Sequence, residues 1–254
     1  MSLKDVTLIV PYRFDTPARK RNFEIVTSYF GYSDLTLLPV EQSGSKIPSE
    51  PSSQHLLYYT LNNPQAPFHK TRLINQGLAH VKTPVVGVLD TDVLCDIRSV
   101  QVAAEALIAG HADLIYPYDG TFLEVPEVHV DSFARRWAAG YRSDPRTVTV
   151  AQDSVGGLFL TSTARFRELG GANERFVSWG PEDQEIALRY ARVGAAIARL
   201  PGSLWHLEHP RSLDSGPNHP DYLDNVRQWT RLLDLDTSAE WAAEIEGFPW
   251  RSRL

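Results

Sequence analysis

The clearest indication of the fold is the segment Val85-Val86-Gly87-Val88-Leu89-Asp90-Thr91-Asp92. Its first five residues form a short apolar run, typical of a strand buried on both faces of a parallel sheet. A second run of the same kind, VTLIV at 6–10, is followed by Pro11, Tyr12 and Arg13. Ligand sites of open α/β sheets lie at the carboxyl ends of strands. The polar residues that follow these two runs are therefore the first candidates for a site.

Helical and strand patterns alternate around these runs through the first half of the chain. The spacing of apolar residues predicts helices at 16–30, 70–80 and 99–109, strands at 35–40 and 114–118, and a loop at 41–53. This alternation predicts a doubly wound α/β sheet. Further along, a strand is expected at 156–160, a helix at 182–193 and a helical tail at 221–250, whereas residues 119–149 receive no assignment.

Composition excludes several classes of protein. The chain has 254 residues, 43% of them hydrophobic, and a formal net charge of -6, which argues against a nucleic-acid-binding protein. The one cysteine, Cys95, permits no internal disulfide, and we expect a cytoplasmic location. No stretch approaches the roughly 20 apolar residues of a transmembrane helix, so no transmembrane segment is predicted.

Two groups of residues could hold a metal ion. Asp90-Thr91-Asp92 presents carboxylates suited to Mg²⁺ or Mn²⁺, although a strand-terminating turn would use the same residues. His206 and His209 stand three residues apart in LWHLEHP and could share one metal with a carboxylate from elsewhere. The alternative is a packed His206 beside Trp205 and a loop His209 beside Pro210.

A third group suits a sugar. FVSWGPEDQE at 176–185 places Trp179 before Glu182 and Asp183, at the expected start of a helix. Acidic residues also stabilise a first helical turn, so capping is the structural alternative for Glu182 or Glu185. A Trp ring can stack on a sugar while carboxylates accept hydrogen bonds from its hydroxyls, and one carboxylate could act as a general base.

Together these motifs resemble the β1,4-galactosyltransferase-like branch of the GT-A glycosyltransferases. The matching segments, in chain order, are VPYR (10–13), FHKTRLINQG (68–77), Asp90-Thr91-Asp92, the stretch 154–185 from SVGG to GPEDQE, and LWHLEHP (204–210). The chain departs from the family pattern at Pro181, which replaces a Gly, and residues 119–150 match nothing in it.

The resemblance implies an α/β fold of GT-A type, with a Rossmann-like, mostly parallel central sheet flanked by helices. It implies a single glycosyltransferase domain at 1–220, with a nucleotide-binding half at 1–118 and an acceptor and catalytic half at 119–220. Residues 221–254 are expected to form a C-terminal helical extension.

The resemblance also assigns roles to residues. Asp183 is expected to be the catalytic base and Glu182 to hold the sugars, while Asp92, His206 and His209 would bind Mn²⁺ (or Mg²⁺). The nucleotide-sugar residues would be Pro11, Tyr12, Arg13, Phe68, Lys70, Arg72, Asp90, Thr91, Asp92, Gly156, Gly157 and Trp179. For Lys70 and Arg72, a solvated helix face is an equal alternative. The loop 210–220 is expected to close over the donor.

The implied activity is that of an inverting glycosyltransferase, which moves a hexose or N-acetylhexosamine from a nucleoside diphosphate sugar, with UDP expected, to an acceptor hydroxyl. Two alternatives stay open, a metal-dependent nucleotidyltransferase or phosphohydrolase and a non-catalytic carbohydrate-binding protein. Tyr116, Tyr118 and Trp137 would belong either to the acceptor face or to the core. The sequence determines neither the donor sugar, the acceptor nor the oligomeric state.

Overall fold

A computed structural model describes residues 2–43, 57–60, 66–211 and 216–251. Its strands are β1 (Val6–Tyr12), β2 (Thr36–Ser43), β3 (Leu57–Thr60), β4 (Val85–Leu89), β5 (Val93–Leu94), β6 (Leu114–Tyr116), β7 (Phe122–Val125), β8 (Val148–Ala151), β9 (Leu158–Ser162), β10 (Ile197–Arg199) and β11 (Leu204–Leu207). Its helices are α1 (Pro17–Gly31), α2 (Lys70–Leu78), α3 (Ile97–Ile108), α4 (Val130–Ala138), α5 (Thr163–Glu168), α6 (Glu182–Arg192), α7 (Tyr222–Leu233) and α8 (Ser238–Glu246). Of the loop predicted at 41–53, residues 41–43 belong to β2, and the remainder lies outside the described residues.

The two apolar runs lie side by side at the centre of a seven-stranded sheet. Its order is β10-β6-β9-β4-β1-β2-β3, and β1 pairs in parallel with both β2 and β4. Every residue of β1 and β4 is buried, because the sheet is covered on both faces. The carboxyl ends of β1 and β4, followed by Arg13 and Asp90, therefore reach the same edge of the sheet.

One strand runs against the others. β9 pairs antiparallel with β4 and β6, and its first residue, Leu158, pairs with Leu89, the last residue of β4. The start of β9 therefore lies where the parallel strands end, and Gly156 and Gly157 arrive at the same edge. The backbone N–H of Asp90 donates to the carbonyl of Gly157 at 2.8 Å.

A second sheet takes strand β7 and half of β8 from the segment that the sequence leaves without assignment. Its order is β5-β11-β7-β8, in which β11 pairs in parallel with β7 and antiparallel with β5. β7 and β8 have partners far away in sequence, so local periodicity carries little information about them. The pairing places His206 of β11 opposite Val93, one residue after Asp92.

The C-terminal helices pack against the body of the protein. Leu232 of α7 and Trp241 of α8 bury a small apolar cluster with Phe176, while Ile245 and Phe248 join the main core. The start of α8 is fixed by a capping box between Thr237 and Glu240. None of the helices within the described residues has the length and hydropathy that a membrane crossing requires.

Candidate active site

A cavity of about 1130 Å³ opens at the edge where β1 and β4 end and β9 begins. The residues predicted for a site that line it are Pro11, Tyr12, Arg13, Phe68, Lys70, Asp90, Thr91, Asp92, Gly156, Trp179, Glu182, Asp183, His206 and His209. Arg72 and Gly157 lie outside this lining. Residues separated by up to about two hundred positions therefore share one concave surface, the usual form of a ligand site.

Asp92, His206 and His209 form one end of the cavity, which we call the metal corner. One ligand atom from each lies within 4.8 Å of the other two. The Nε2 atom of His209 is 2.9 Å from Asp92 Oδ2, and that of His206 is 3.9 Å from the same oxygen. A backbone hydrogen bond of 2.7 Å from Leu207 N to Asp92 O holds the two segments together.

The donor set of the metal corner fits a divalent cation. Nδ1 of His209 lies 3.0 Å from the carbonyl oxygen of Pro210, an acceptor only, so this nitrogen carries the proton and Nε2 points toward Asp92. Nδ1 of His206 lies 3.3 Å from Glu124 Oε2, within ion-pair distance but without the geometry of a hydrogen bond. Two imidazole nitrogens and one carboxylate oxygen make a mixed ligand set for a first-row divalent metal.

The electrostatics of the metal corner already favour positive charge. Burial of Asp92 opposes its ionisation, but the hydrogen bond from His209 and the charges of both imidazoles outweigh burial and lower the pKa of Asp92 below its usual range. Burial likewise disfavours the imidazolium of His209, yet Asp92 outweighs it and raises the pKa of His209. A bound cation would take the place of this imidazolium charge beside an ionised carboxylate.

Four titratable side chains form the other end, which we call the carboxylate corner. Lys70 Nζ lies 3.0 Å from Asp90 Oδ1, 3.1 Å from Asp183 Oδ2 and 3.4 Å from Glu182 Oε1. Burial disfavours the ammonium, but the three carboxylates outweigh it and raise the pKa of Lys70 well above its usual value. Lys70 therefore stays charged and acts as a resident cation.

The carboxylates around Lys70 differ in charge. Burial, with the charge of Asp183 beside it, raises the pKa of Glu182 to about 8, and burial raises that of Asp90 to about 6 despite Lys70. The second carboxyl oxygen of Glu182 is buried with no hydrogen-bond partner, as expected for a group that is not fully ionised. At neutral pH, Glu182 is therefore the proton-bearing member of the group.

Glycine creates the space that Asp183 occupies. A Cβ at Gly156 would lie 2.9 Å from Asp183 Oδ2, closer than ordinary contact allows. Gly157 has a φ of +84°, and a Cβ there would lie 2.4 Å from Leu204. Gly156 thus leaves space for the Asp183 carboxylate, and Gly157 leaves space for the second sheet. Sequence reasoning missed this role of the two glycines.

Trp179 forms part of the cavity wall near α6. Its ring is 42% exposed, and it stacks on Tyr222 of α7 with 5.5 Å between ring centroids and 25° between planes. A stacked ring that is partly exposed in a cavity wall suits the apolar face of a sugar.

The predicted nucleotide side of the cavity is built on the end of β1. Arg13 donates to the carbonyl of Ala66 at 3.0 Å, and its guanidinium lies 5.7 Å from the ring centroid of Phe68. Tyr12 is buried, and its hydroxyl donates to Glu41 at 3.0 Å. Arg13 and Phe68 thus present a planar cation and an aromatic ring to the cavity, whereas Tyr12 mainly supports them.

Three aromatic residues with an open assignment lie in the core. Tyr116, Tyr118 and Trp137 are at most 2% exposed. Trp137 packs against Trp205, and Arg199 covers the ring of Tyr116. Burial favours the core alternative for all three. Of the loop expected to close over the donor, residues 212–215 lie outside the described residues.

Comparisons with known proteins agree with this architecture. Residues 143–212 match a family model described as the N-terminal domain of galactosyltransferase. This segment includes Gly156, Asp183, His206 and His209. A comparison with curated proteins finds no matching sequence.

Solved structures share the fold at low sequence identity. TarS from S. aureus, residues 1–349, gives a TM-score of 0.55 at 14% identity over 96% of this chain and 69% of that one. Glucosyl-3-phosphoglycerate synthase from Mycobacterium tuberculosis gives 0.53 at 17% identity, over 88% of this chain and 79% of that one.

A third comparison is weaker. The catalytic domain of Drosophila β1,4-galactosyltransferase 7 gives a TM-score of 0.41 at 18% identity, over 76% of this chain. The chain spans 63% of the length of that domain. The family match confirms the predicted resemblance and supports a glycosyltransferase enzyme, and the bacterial structures confirm the GT-A fold class.

Proposed function

We propose that this glycosyltransferase is an inverting, metal-dependent enzyme. It moves a hexose or N-acetylhexosamine from a nucleoside diphosphate sugar, with UDP as the nucleotide, to an acceptor hydroxyl. One observation carries the proposal, which is that a single cavity joins a 2-His-1-carboxylate group to a cluster of acids beside an exposed Trp. Metal, base and sugar platform are the parts that such a transfer needs.

The metal corner would hold Mn²⁺ (or Mg²⁺) through Asp92, His206 and His209. When bound, the cation supplies charge that offsets the negative charge developing on the departing diphosphate. Two of the three ligands are nitrogen, and Mg²⁺ strongly prefers oxygen, so we propose Mn²⁺ first. The M. tuberculosis synthase, similar in fold, has been crystallised with UDP and with either Mg²⁺ or Mn²⁺.

The donor nucleotide would lie along the end of β1, against Pro11, Arg13 and the ring of Phe68. Arg13 offers planar donors and Phe68 a stacking face. Lys70, between this side and the acids, is placed to contact the diphosphate or the donor sugar. This orientation puts the diphosphate toward the metal corner and the sugar toward the carboxylate corner.

Asp183 would act as the general base. The acceptor oxygen attacks the anomeric carbon, its proton passes to a carboxylate oxygen of Asp183, and the bond from carbon to the diphosphate oxygen breaks. One displacement inverts the anomeric centre and needs one base. Glu182, which carries a proton at neutral pH, would donate a hydrogen bond to a sugar hydroxyl while Trp179 stacks on the ring.

The proposal is tested by a donor screen. Purified protein is incubated with MnCl₂, a panel of sugar and small-molecule acceptors, and one of four donors at a time, which include both UDP-hexoses and UDP-N-acetylhexosamines. The release of UDP is measured. We expect release that depends on an acceptor, stops with EDTA and gives a product of inverted anomeric configuration by NMR. Release of nucleotide without an acceptor would indicate a phosphohydrolase instead.

Glycan binding without turnover or a metal requirement would indicate a carbohydrate-binding protein. The cytoplasmic location stays a prediction that depends on the single cysteine, which is buried.

A further inference from the structure

Asn225 connects α7 to the loop that carries Trp179. Its side chain is 1% exposed and makes three hydrogen bonds to backbone groups of that loop. The amide nitrogen donates to the carbonyls of Val177 at 2.7 Å and Trp179 at 3.0 Å, and the amide oxygen accepts from Val177 N at 3.2 Å. Buried donors and acceptors that are fully paired in this way specify one conformation of the groups they contact.

The loop beside this side chain has an uncommon backbone conformation. Ser178 has a φ of +62° and is, within the described residues, the non-glycine residue with a left-handed backbone. Such a conformation costs free energy and persists only where the surroundings enforce it. A Cβ at Gly180 would lie 2.7 Å from the amide nitrogen of Asn225. The absence of a side chain at Gly180 therefore leaves space for the Asn225 amide.

The same helix also supports the ring of Trp179. Tyr222, the first residue of α7, stacks on one face of Trp179, and Asn225 lies one helical turn further along. Two residues of α7 therefore contact this segment, one through the ring and one through the backbone. The opposite end of the segment leads directly into Glu182 and Asp183.

We propose that Asn225 is a positioning residue that holds Trp179 over the carboxylate corner and thereby sets how the acceptor sugar lies against Asp183. The inference rests on the proposed function for the identity of the bound sugar. The position of Trp179 itself does not depend on that function. Asn225 belongs to the segment that the sequence marks as a C-terminal extension, so part of the acceptor site is built from outside the region of family resemblance.

The test observes Trp179 directly. The full chain is labelled with 5-fluorotryptophan, and the ¹⁹F signal of Trp179 is assigned with Trp179→Phe. In Asn225→Ala, and at least as strongly in Asn225→Asp, which keeps the acceptor for Val177 N but turns a carboxyl oxygen toward two carbonyl oxygens, we expect this signal to shift or broaden. The signals of Trp137 and Trp205, in the core, stay in place, and affinity for UDP with MnCl₂ is unchanged.

A neighbouring variant serves as the control. Asp224 is largely exposed and precedes Asn225 on the same helix, so Asp224→Asn leaves the Trp179 signal where it is in the native chain. An unchanged Trp179 signal in Asn225→Ala would overturn the proposal. So would displacement of all Trp signals together with loss of UDP and Mn²⁺ binding, because Asn225 would then support the fold as a whole.

Failure of the proposed function gives a different result. Methyl β-D-glucopyranoside, methyl β-D-xylopyranoside and xylobiose are added to the native chain with UDP and MnCl₂. If none of them moves the Trp179 signal, Trp179 is not a sugar platform, whatever the Asn225 variants show. If one does, the same sugar is expected to bind about tenfold more weakly to Asn225→Ala, as the loss of a hydrogen-bonded support predicts.

Discussion

The two ends of the cavity compensate their buried carboxyl groups in opposite ways. At the metal corner the carboxyl of Asp92 has a lowered pKa, and the positive charge beside it is an imidazolium that a metal ion can replace. At the carboxylate corner the pKa values of Asp90 and Glu182 are raised, and the positive charge is Lys70, a covalent part of the chain. In the proposed function, one end holds an external cation, whereas the other balances its carboxyl groups with Lys70 and keeps a proton.

This contrast supports the chemistry proposed for the two ends. A cation that offsets leaving-group charge belongs at the end with exchangeable charge, and proton transfer belongs at the end where acids have pKa values near neutrality. Four substitutions test this difference between the two corners.

The largest effect is expected at Asp183. Asp183→Asn removes the base, and because general base catalysis contributes about 10²–10⁴-fold, turnover falls by that factor in assays of UDP release. Affinity for UDP and Mn²⁺, measured by calorimetry, stays near that of the native chain, since the metal corner is untouched. Turnover within a few-fold of native would show that Asp183 is not the base. The control is Asp224→Asn, the same chemical change at an exposed position.

Lys70→Met tests the internal charge balance of the carboxylate corner. Loss of one partner from a buried charge cluster costs about 3–5 kcal/mol, and urea denaturation measures this loss of unfolding free energy. The exposed Lys82→Met serves as the control. Adding Asp183→Asn to Lys70→Met should recover part of the loss, since one of the carboxyl groups that face Lys70 is then removed. Equal stability of Lys70→Met and the native chain would show that Lys70 does not hold the cluster.

Glu124 tests the metal corner through a residue that sequence reasoning missed. It lies beside Nδ1 of His206, and changes to such supporting groups weaken metal affinity by about 10–100-fold. We expect Glu124→Ala to do so in a titration of Mn²⁺ followed by electron paramagnetic resonance, while the exposed Glu105→Ala does not. Unchanged Mn²⁺ affinity would mean that Glu124 does not orient the ring.

The smallest effect concerns the pH dependence of stability. The pKa of Glu182 is raised from 4.5 to about 8, so between these values the unfolded chain loses the proton and the folded chain keeps it. The unfolded state then binds fewer protons, and stability falls as pH rises from about 5 to 8. Glu182→Gln has no such titration. The free energy of unfolding of this variant, measured by urea denaturation relative to that of the native chain, should therefore rise by about 1–3 kcal/mol over that interval. A difference in unfolding free energy between Glu182→Gln and the native chain that does not change with pH would contradict the raised pKa.

Several parts of the site were readable from the sequence for a common reason. Asp90, Asp92 and Arg13 follow apolar runs long enough to identify buried parallel strands, and the ends of such strands meet at one edge. Trp179, Glu182 and Asp183 form a short motif at the start of a recognisable helix. The roles assigned to these residues stay predictions, but their presence in one cavity is observed.

Other parts depended on contacts that no local pattern records. The second sheet joins residues 122–125 and 148–151 to 204–207, and Val148 and its neighbours on β8 are exposed, so no alternation of burial marks the strand. Glu124 reaches His206 only because β7 and β11 pair. Asn225 reaches Val177 across 48 positions, and nothing in its own helix distinguishes it from a surface residue.

By itself, the sequence determined the α/β class, the edge at which polar residues collect and the order of the motifs, because apolar runs, turns and helix starts are local properties of the chain. Tertiary structure alone decided which of those residues carry charge, since burial and neighbouring charges set each pKa. It also decided that Gly156 makes room for Asp183, that Lys70 is a resident cation and that α7 supports Trp179. Distances between residues far apart in sequence exist only after the chain has folded, and the chemistry of this site depends on those distances.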